Sequence, residues 1–283
     1  MDGVGNGVLT LVGTPIGNLG DLSPRAVEAL AGASAIACED TRRCRKLLSH
    51  AGVEAPPMIV INEHEEAGRV DRVLDRLAAG DRVAVVTDAG MPGISDPGEL
   101  LVRAAADAGY RIEVVPGPTA ASTALVGSGL PAVRWCFEGF LPRKGSGRRE
   151  RLAAVAVEPR TTVLYEAPHR LARTIVDLVA AAGGERRVVI ARELTKLHEE
   201  LWRGTLAEAV SWIDEQPPRG EIAIVLDGAP PPPEADEAEL RVAVRAELAA
   251  GRRTKDAAAA VADRLGASKR RVYELALEEA PHA

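Results

Sequence analysis

Between residues 8 and 117, five short apolar runs alternate with four amphipathic stretches, and this alternation limits the possible folds more than any other feature of the chain. The runs are VLTLVG (8–13), ASAIACE (33–39), PMIVIN (57–62), RVAVVTD (82–88) and RIEVVPG (111–117). Each is short and apolar at consecutive positions, as a strand buried on both faces has to be. The stretches between them carry helix punctuation. Ser23 and Pro24 stand at the cap and first-turn positions of 23–32. The stretch 41–52 ends on glycine, and Val70, Val73, Leu74 and Leu77 share one face of 65–80. The stretch 97–109 opens on proline and closes on glycine. This order predicts a mostly parallel sheet covered by helices.

A second set follows. RWCFEGF (134–140), TTVLYEA (161–167), RVVIARE (187–193) and EIAIVLDG (221–228) read as strands. HRLARTIVDLVAAAGG (169–184) and TLAEAVSWIDEQ (205–216) read as helices. The expected architecture is α/β: two mostly parallel-sheet α/β domains over 1–122 and 123–229. A proline- and acid-rich linker (230–239) then leads to a small α-helical appendage at 240–283.

Composition removes several classes. Hydrophobic residues make up 46% of the chain, enough for a core, and the net charge of −6 argues against a uniformly basic coat. Three cysteines without a C-x-x-C pair suggest neither a disulfide framework nor a metal site, and fit a reducing cytoplasm. No run approaches the roughly 18 apolar residues of a membrane span. The N-terminal MDGVGNGVLTLVG does not read as a signal peptide.

The stretch VVTDAGMPGISDPG (85–98) ends a strand in a loop rich in glycine, proline and aspartate. The carboxyl edge of a parallel sheet is where α/β proteins hold ligands. Gly90, Gly93 and Gly98 allow positive φ, and Pro92 and Pro97 stiffen the turn. Neither the P-loop pattern nor G-x-G-x-x-G is present, so ATP and NAD are poor candidates. Asp96 is expected to cap a helix starting at Pro97.

Three more strand-end loops share this chemistry: GTPIGN (13–18), PGPTAAST (116–123) and YEAPHR (165–170). Taken in order, VGTPIGNLGDLSPRA, CEDTR, TDAGMPGISDPG, VPGPTA and YEAPHR resemble the tetrapyrrole methylase superfamily of S-adenosylmethionine-dependent methyltransferases. Within it they resemble the branch that 2′-O-methylates a cytidine in the decoding region of small-subunit (16S) ribosomal RNA. The resemblance covers about residues 8–228, and the tail fits it too. It implies a methyl donor, S-adenosyl-L-methionine, bent in a cleft between the two domains and held largely by backbone. Pro15 matches the first-loop proline beside the donor. Ala89, Gly90 and Met91 match the glycine-rich turn, Ile94 its apolar neighbour, and Thr119 and Ala120 the Thr/Ser–small pair. Glu166 matches a donor-touching position, and Leu194 and Ala223 match further ones. One departure is Gly90-Met91-Pro92 where many relatives carry Gly-Asp-Pro, which removes a carboxylate contact. Asp88 and Asp96 are alternatives for favouring the donor's cation. The family also implies a homodimer.

Methyl transfer to a hydroxyl needs alignment and benefits from a base. Acid/base groups cluster at CEDTRR (Glu39, Asp40, Arg42), at NEHEE (Glu63, His64) and at YEAPHR with ARELTK (Glu166, His169, Arg192, Glu193, Lys196). Lys196 or Glu166 is the expected base, with His169 a third option, and Asn62 and Glu63 are possible substrate contacts. For RNA there are two basic islands. PRKGSGRRER (142–151) reads as a mobile basic loop carrying Arg143, Lys144, Arg148 and Arg149. The tail TKDAAAAVADRLGASKRRVYELAL (254–277) resembles a helix-turn-helix, with Lys269, Arg270 and Arg271 on its second helix. It reads equally as a helical hairpin packed on protein. The expected partner is small-subunit ribosomal RNA or the assembled small subunit, with no membrane. The alternatives are a corrin-precursor methyltransferase and a non-catalytic nucleic-acid-binding regulator.

Overall fold

The computed structural model describes residues 7–61, 66–231 and 235–280. It divides into two compact units, Met1–Ala229 and Pro230–Ala283. Asn62, Glu63 and His64 lie outside the described residues.

The first unit holds two five-stranded sheets. One comprises β1 (Val8–Val12), β2 (Ala35–Cys38), β3 (Met58–Val60), β4 (Arg82–Val86) and β5 (Arg111–Val115), in the order β3-β2-β4-β1-β5. All neighbours pair in parallel, as the alternation predicts. Helices cover both faces, and the period-2 alternation of each strand serves both layers. Ala84 and Val86 pack with Leu30 of α1 (Pro24–Ala31) and Leu48 of α2 (Thr41–Ala51). Val83 and Val85 pack with Val73 and Leu77 of α3 (Glu66–Ala78) and Leu101 of α4 (Glu99–Asp107). Local signals set the helix ends. The Ser23 hydroxyl accepts from the Ala26 amide at 3.1 Å, and Gly52 closes α2 at φ 67°. The chain leaves β1 toward β2 on one side and leaves β4 toward β5 on the other. Adjacent β1 and β4 therefore form a topological switch point.

The second sheet comprises β6 (Trp135–Phe140), β7 (Thr161–Glu166), β8 (Arg187–Arg192), β9 (Glu200–Thr205) and β10 (Ile222–Leu226), in the order β6-β7-β10-β8-β9. Here the expectation of a mostly parallel sheet fails. Only β6 and β7 run parallel; the other three pairings are antiparallel. Strands buried on both faces read alike in either direction, and β9, which makes the antiparallel pair with β8, escaped the sequence reading. One face carries α6 (Ser146–Val157), α7 (Pro168–Ala182) and α8 (Leu206–Glu215). The other carries α5 (Ala120–Ser128), whose Ala121, Ala124 and Leu125 pack against Val163, Val189 and Val225. The expected boundary at 122 falls inside α5. The expected mobile loop 142–151 is half helix, because α6 begins at Ser146.

The second unit is three helices: α9 (Glu237–Ala249), α10 (Thr254–Leu265) and α11 (Lys269–Glu279). They enclose their own core of Leu240, Val244, Val261, Val272 and Leu275. Gly266, at φ 63°, turns the chain between α10 and α11 as the sequence predicts. The first helix of this unit begins within the expected linker.

Candidate active site

The carboxyl ends of β4, β1 and β5 are neighbours, so their loops meet. Thr14 and Gly90 exchange backbone hydrogen bonds of 2.8 and 3.1 Å, tying the loop after β1 to the loop after β4. Gly90 sits at φ 83°, a conformation that costs a residue with a Cβ. Gly13 and Gly117 touch backbone to backbone; a Cβ on Gly117 would lie 2.7 Å from the Gly13 Cα. Three loops thus form one rim without help from large side chains.

Across this rim lies a cleft of about 400 Å³, within the range of small-ligand sites. Ala89, Gly90, Met91 and Ile94 line it from the loop after β4, and Thr119 and Ala120 from the start of α5. Glu166, Leu194 and Ala223 line it from the second sheet. Pro15 does not reach the wall; it is buried, and its neighbour Ile16 lines the cleft instead. The Thr119 hydroxyl caps α5 by accepting from the Ser122 amide at 3.2 Å. Phe140 and Tyr165, which the sequence reading did not single out, add an aromatic wall with ring centroids 5.7 Å apart. Tyr165 is held by its hydroxyl, which accepts from the Ala121 amide at 2.9 Å. In a chain with only 3% aromatic residues, their position at strand ends was the available signal.

The polar part of the wall is acidic. Glu39, Asp88, Asp96 and Glu221 line it, with Arg43 as the one basic residue among the described lining groups. Arg43 pairs with Asp88 at 3.4 Å. Burial raises the Asp88 carboxyl, and burial together with Asp88 raises that of Glu39. Asp96 is pushed up to about 7 by burial and by Glu39, Asp88 and Glu221. Asp96 does not cap α4, correcting the sequence expectation. The helix starts two residues later than Pro97, with Gly98 at its cap and no side-chain capping bond. Such a wall favours a cation with an apolar body and repels phosphate.

The expected bases are placed less favourably. Glu166 is 2% exposed, and both carboxylate oxygens are committed. One accepts from the Ala167 amide at 2.9 Å and pairs with Arg170 at 3.1 Å; the other accepts from Thr174 at 2.6 Å. Lys196 donates to Glu193 at 2.9 Å and to Glu221 at 3.0 Å. Burial lowers its pKa, but these two carboxylates outweigh burial and leave it raised, so it stands as an ammonium. His169 is exposed on α7 and does not line the cleft. Asp40 and Arg42 pair with each other at the start of α2, and of the CEDTRR stretch Glu39 and Arg43 enter the wall.

Arg148 is not an RNA contact in this structure. It is 4% exposed and donates to Asp177 at 2.8 Å, to the Pro142 carbonyl at 3.0 Å and to Thr174 at 3.0 Å. Through Thr174 it braces Glu166 from below. Its neighbours Arg143, Lys144 and Arg149 are exposed. In the second unit Lys269 pairs with Asp263 at 3.1 Å and Arg270 with Glu274 at 3.1 Å, while Arg271 is half-buried.

Fold and cleft together define a class: a two-sheet α/β protein with an acidic, partly apolar cleft at a switch point and no phosphate clamp. The model of the family described as Tetrapyrrole (Corrin/Porphyrin) Methylases matches residues 8–210, and the chain belongs to that family. A Synechocystis protein named Ribosomal RNA small subunit methyltransferase I is 46% identical over 274 residues, covering 96% of this chain and 98% of its own. Proteins of the same name from Pseudomonas aeruginosa and Escherichia coli O157:H7 are 46% and 42% identical, each over 96% of this chain and over 97% and 96% of their own. Among solved structures, the methyltransferase CobJ superposes with a TM-score of 0.62 at 22% identity, over 79% of this chain and 95% of its own. Uroporphyrin-III-C-methyltransferase from Thermus thermophilus gives 0.54 at 24% identity, over 77% and 93%. At such identities the structures attest the fold alone.

Proposed function

We propose that the chain transfers a methyl group from S-adenosylmethionine to the 2′-hydroxyl of a cytidine in small-subunit ribosomal RNA. The observation that carries this reading is near-full-length identity of 46% to a protein named for small-subunit ribosomal RNA methylation. The cleft supports the donor. S-adenosylmethionine is a sulfonium cation with a carboxylate and a nucleoside and no phosphate, and an acidic, largely apolar wall suits it. In this reading Ala89, Gly90 and Met91 hold it through backbone, with Ile94, Thr119, Ala120, Leu194 and Ala223 around it. Pro15 shapes the loop from behind, and Glu166 keeps the β7–α7 turn in place. When bound, the donor supplies an electrophilic methyl group; the protein's part is to align the ribose oxygen behind it and keep water out.

Exposed Arg143, Lys144 and Arg149 follow Phe140, which lines the cleft and is 51% exposed, and this supports a reading in which they meet phosphates of the substrate strand. Lys269, Arg270 and Arg271 of α11 are a second contact set in this reading. The ion pairs of Lys269 and Arg270 are surface pairs, weak enough for a phosphate to replace. A homodimer fits the exposed Val126, Val133 and Trp135 around the start of β6. The setting is the cytoplasm; among the described residues no helix is long and apolar enough to cross a membrane.

The test is transfer of labelled methyl to small ribosomal subunits lacking the modification, to naked small-subunit RNA and to a corrin precursor. Label in a cytidine ribose is expected. Label in the tetrapyrrole alone would overturn the substrate and leave the donor site standing.

A further inference from the structure

We propose that Lys196 is a positioning residue: with Glu193 and Glu221 it latches the loop after β8 in a left-handed conformation that presses Leu194 into the donor wall. This inference rests on the donor reading given above. Among the described residues, three non-glycine residues have positive φ, and two of them stand in this one loop, Glu193 at 51° and Thr195 at 65°. Left-handed backbone is costly for a residue with a Cβ, and most of all for a β-branched one. The Thr195 side chain gains nothing in return. Its Oγ1 is buried without a hydrogen-bond partner among the described residues, which is a second cost. The conformation is therefore imposed by the surroundings of Thr195.

The constraint is a closed set of bonds. Lys196 Nζ donates to Glu193 Oε1 at 2.9 Å and to Glu221 Oε2 at 3.0 Å. The same Glu193 oxygen accepts from the Glu221 amide at 2.9 Å. The Glu193 amide donates to the Glu221 carbonyl at 2.9 Å, and the Lys196 amide to the Glu193 carbonyl at 3.0 Å. The Glu193 carboxylate lies so close to Gly220 that a Cβ there would collide with it. Lys196 thus ties the loop after β8 to the turn before β10, where Arg192 and Ile222 are paired. The loop after β1 closes the set from the other side. A Cβ on Gly17 would lie 2.6 Å from Lys196 Cγ and 2.9 Å from the Leu194 carbonyl oxygen.

What the latch holds is part of the cleft wall. Leu194 is 8% exposed and packs with Ile16, Ala121 and Ala223. Leu194, Glu221 and Ala223 all line the cleft. Leu194 stands between the two left-handed residues, so a return of either to ordinary backbone turns its side chain out of the wall. The two carboxylates keep Lys196 charged, and an ammonium has no lone pair with which to take a proton. Its part is to hold the loop.

The test compares the full-length protein with Lys196→Met, which keeps the stem and removes the charge, and with Lys196→Met combined with Thr195→Gly. Glycine adopts left-handed backbone readily, so it lessens the need for a latch. Binding of S-adenosylmethionine is measured by calorimetry, and turnover on small ribosomal subunits beside it. Lys196→Met is expected to weaken donor binding on the order of 10-fold, as one strained residue loses its restraint. Added Thr195→Gly is expected to restore most of that affinity although it restores no charge. At saturating donor, kcat of Lys196→Met is expected to stay within about threefold of wild type, which loss of a base would not allow. Unchanged donor affinity in Lys196→Met overturns the latch. A loss of affinity that glycine does not relieve overturns it too, making the ammonium a donor contact. So does a fall in kcat on the order of 100-fold with affinity kept, which makes Lys196 part of the chemistry. If Lys196→Met does not fold, the double variant decides. Its folding and binding donor supports the latch, and its failure to fold makes Lys196 a general prop of the protein and overturns it. Wild-type protein that binds no S-adenosylmethionine overturns the donor reading itself, a result no variant can mimic.

Discussion

At the scale of single residues, the cleft's acidity makes a prediction about stability. Asp96 has a folded-state pKa of about 7 against an ordinary 3.8. A raised value means that the folded state binds the proton more tightly. The contribution is full below the ordinary value and is lost as pH rises through about 7. Asp96→Asn is therefore expected to melt above the wild type at pH 8, with the difference closing toward pH 4. Thermal melts at both pH values check this, and a variant that melts lower at pH 8 would mean that the carboxylate makes a stabilising contact. Arg148 and Arg149 make a second contrast. They are adjacent and chemically identical, yet one is buried in a hydrogen-bonded fork and the other is exposed. Arg148→Ala should destabilise the fold by about 2–3 kcal/mol, since it removes the buried guanidinium that donates to Asp177, to Thr174 and to the Pro142 carbonyl. Arg149→Ala should leave the melt unchanged and weaken RNA binding in a salt-dependent way. Sequence cannot tell the two apart, because the guanidinium's burial depends on Asp177 and Thr174, which arrive from a helix some thirty residues away.

At the scale of elements, α5 joins the cleft to the second sheet. Its first turn is capped by Thr119, and its far face packs on β7, β8 and β10. Thr119→Ala should cost about 1 kcal/mol of stability and weaken donor affinity, while Thr119→Ser should keep both. Calorimetry beside a denaturation curve separates the two effects. Helices and strands were mostly legible because their ends carry local chemistry: Ser23 and Pro24, Gly52, Gly266. Five parallel strands could be read from the alternation of apolar runs with amphipathic helices. The direction of the second sheet could not, since Val188 to Ala191 are buried whichever way the strand runs. Strand β9, ELWRGT, is only half-buried and lacks a clear alternation, so no periodic signal marked it. Of the site, the glycine-rich rim was legible. The commitment of Glu166 was not, because it depends on Thr174 and Arg170, which a helix brings against it.

At the scale of the whole molecule, the chain is two units with separate hydrophobic cores. Residues 1–229 expressed alone should fold and bind the donor with unchanged affinity, because every group lining the cleft belongs to that unit. If α11 grips RNA, the same truncation lowers methylation of the subunit by raising KM more than it lowers kcat. Equal activity with and without residues 230–283 would remove the tail from substrate recognition. The Gly13–Gly117 contact and the reciprocal Thr14–Gly90 bonds bear on the thermodynamics of binding. A rim fixed amide to amide has surrendered its conformational freedom at the moment of folding. Little disorder is left for an arriving ligand to remove, so affinity can come from a modest set of contacts, most of them with backbone and small side chains.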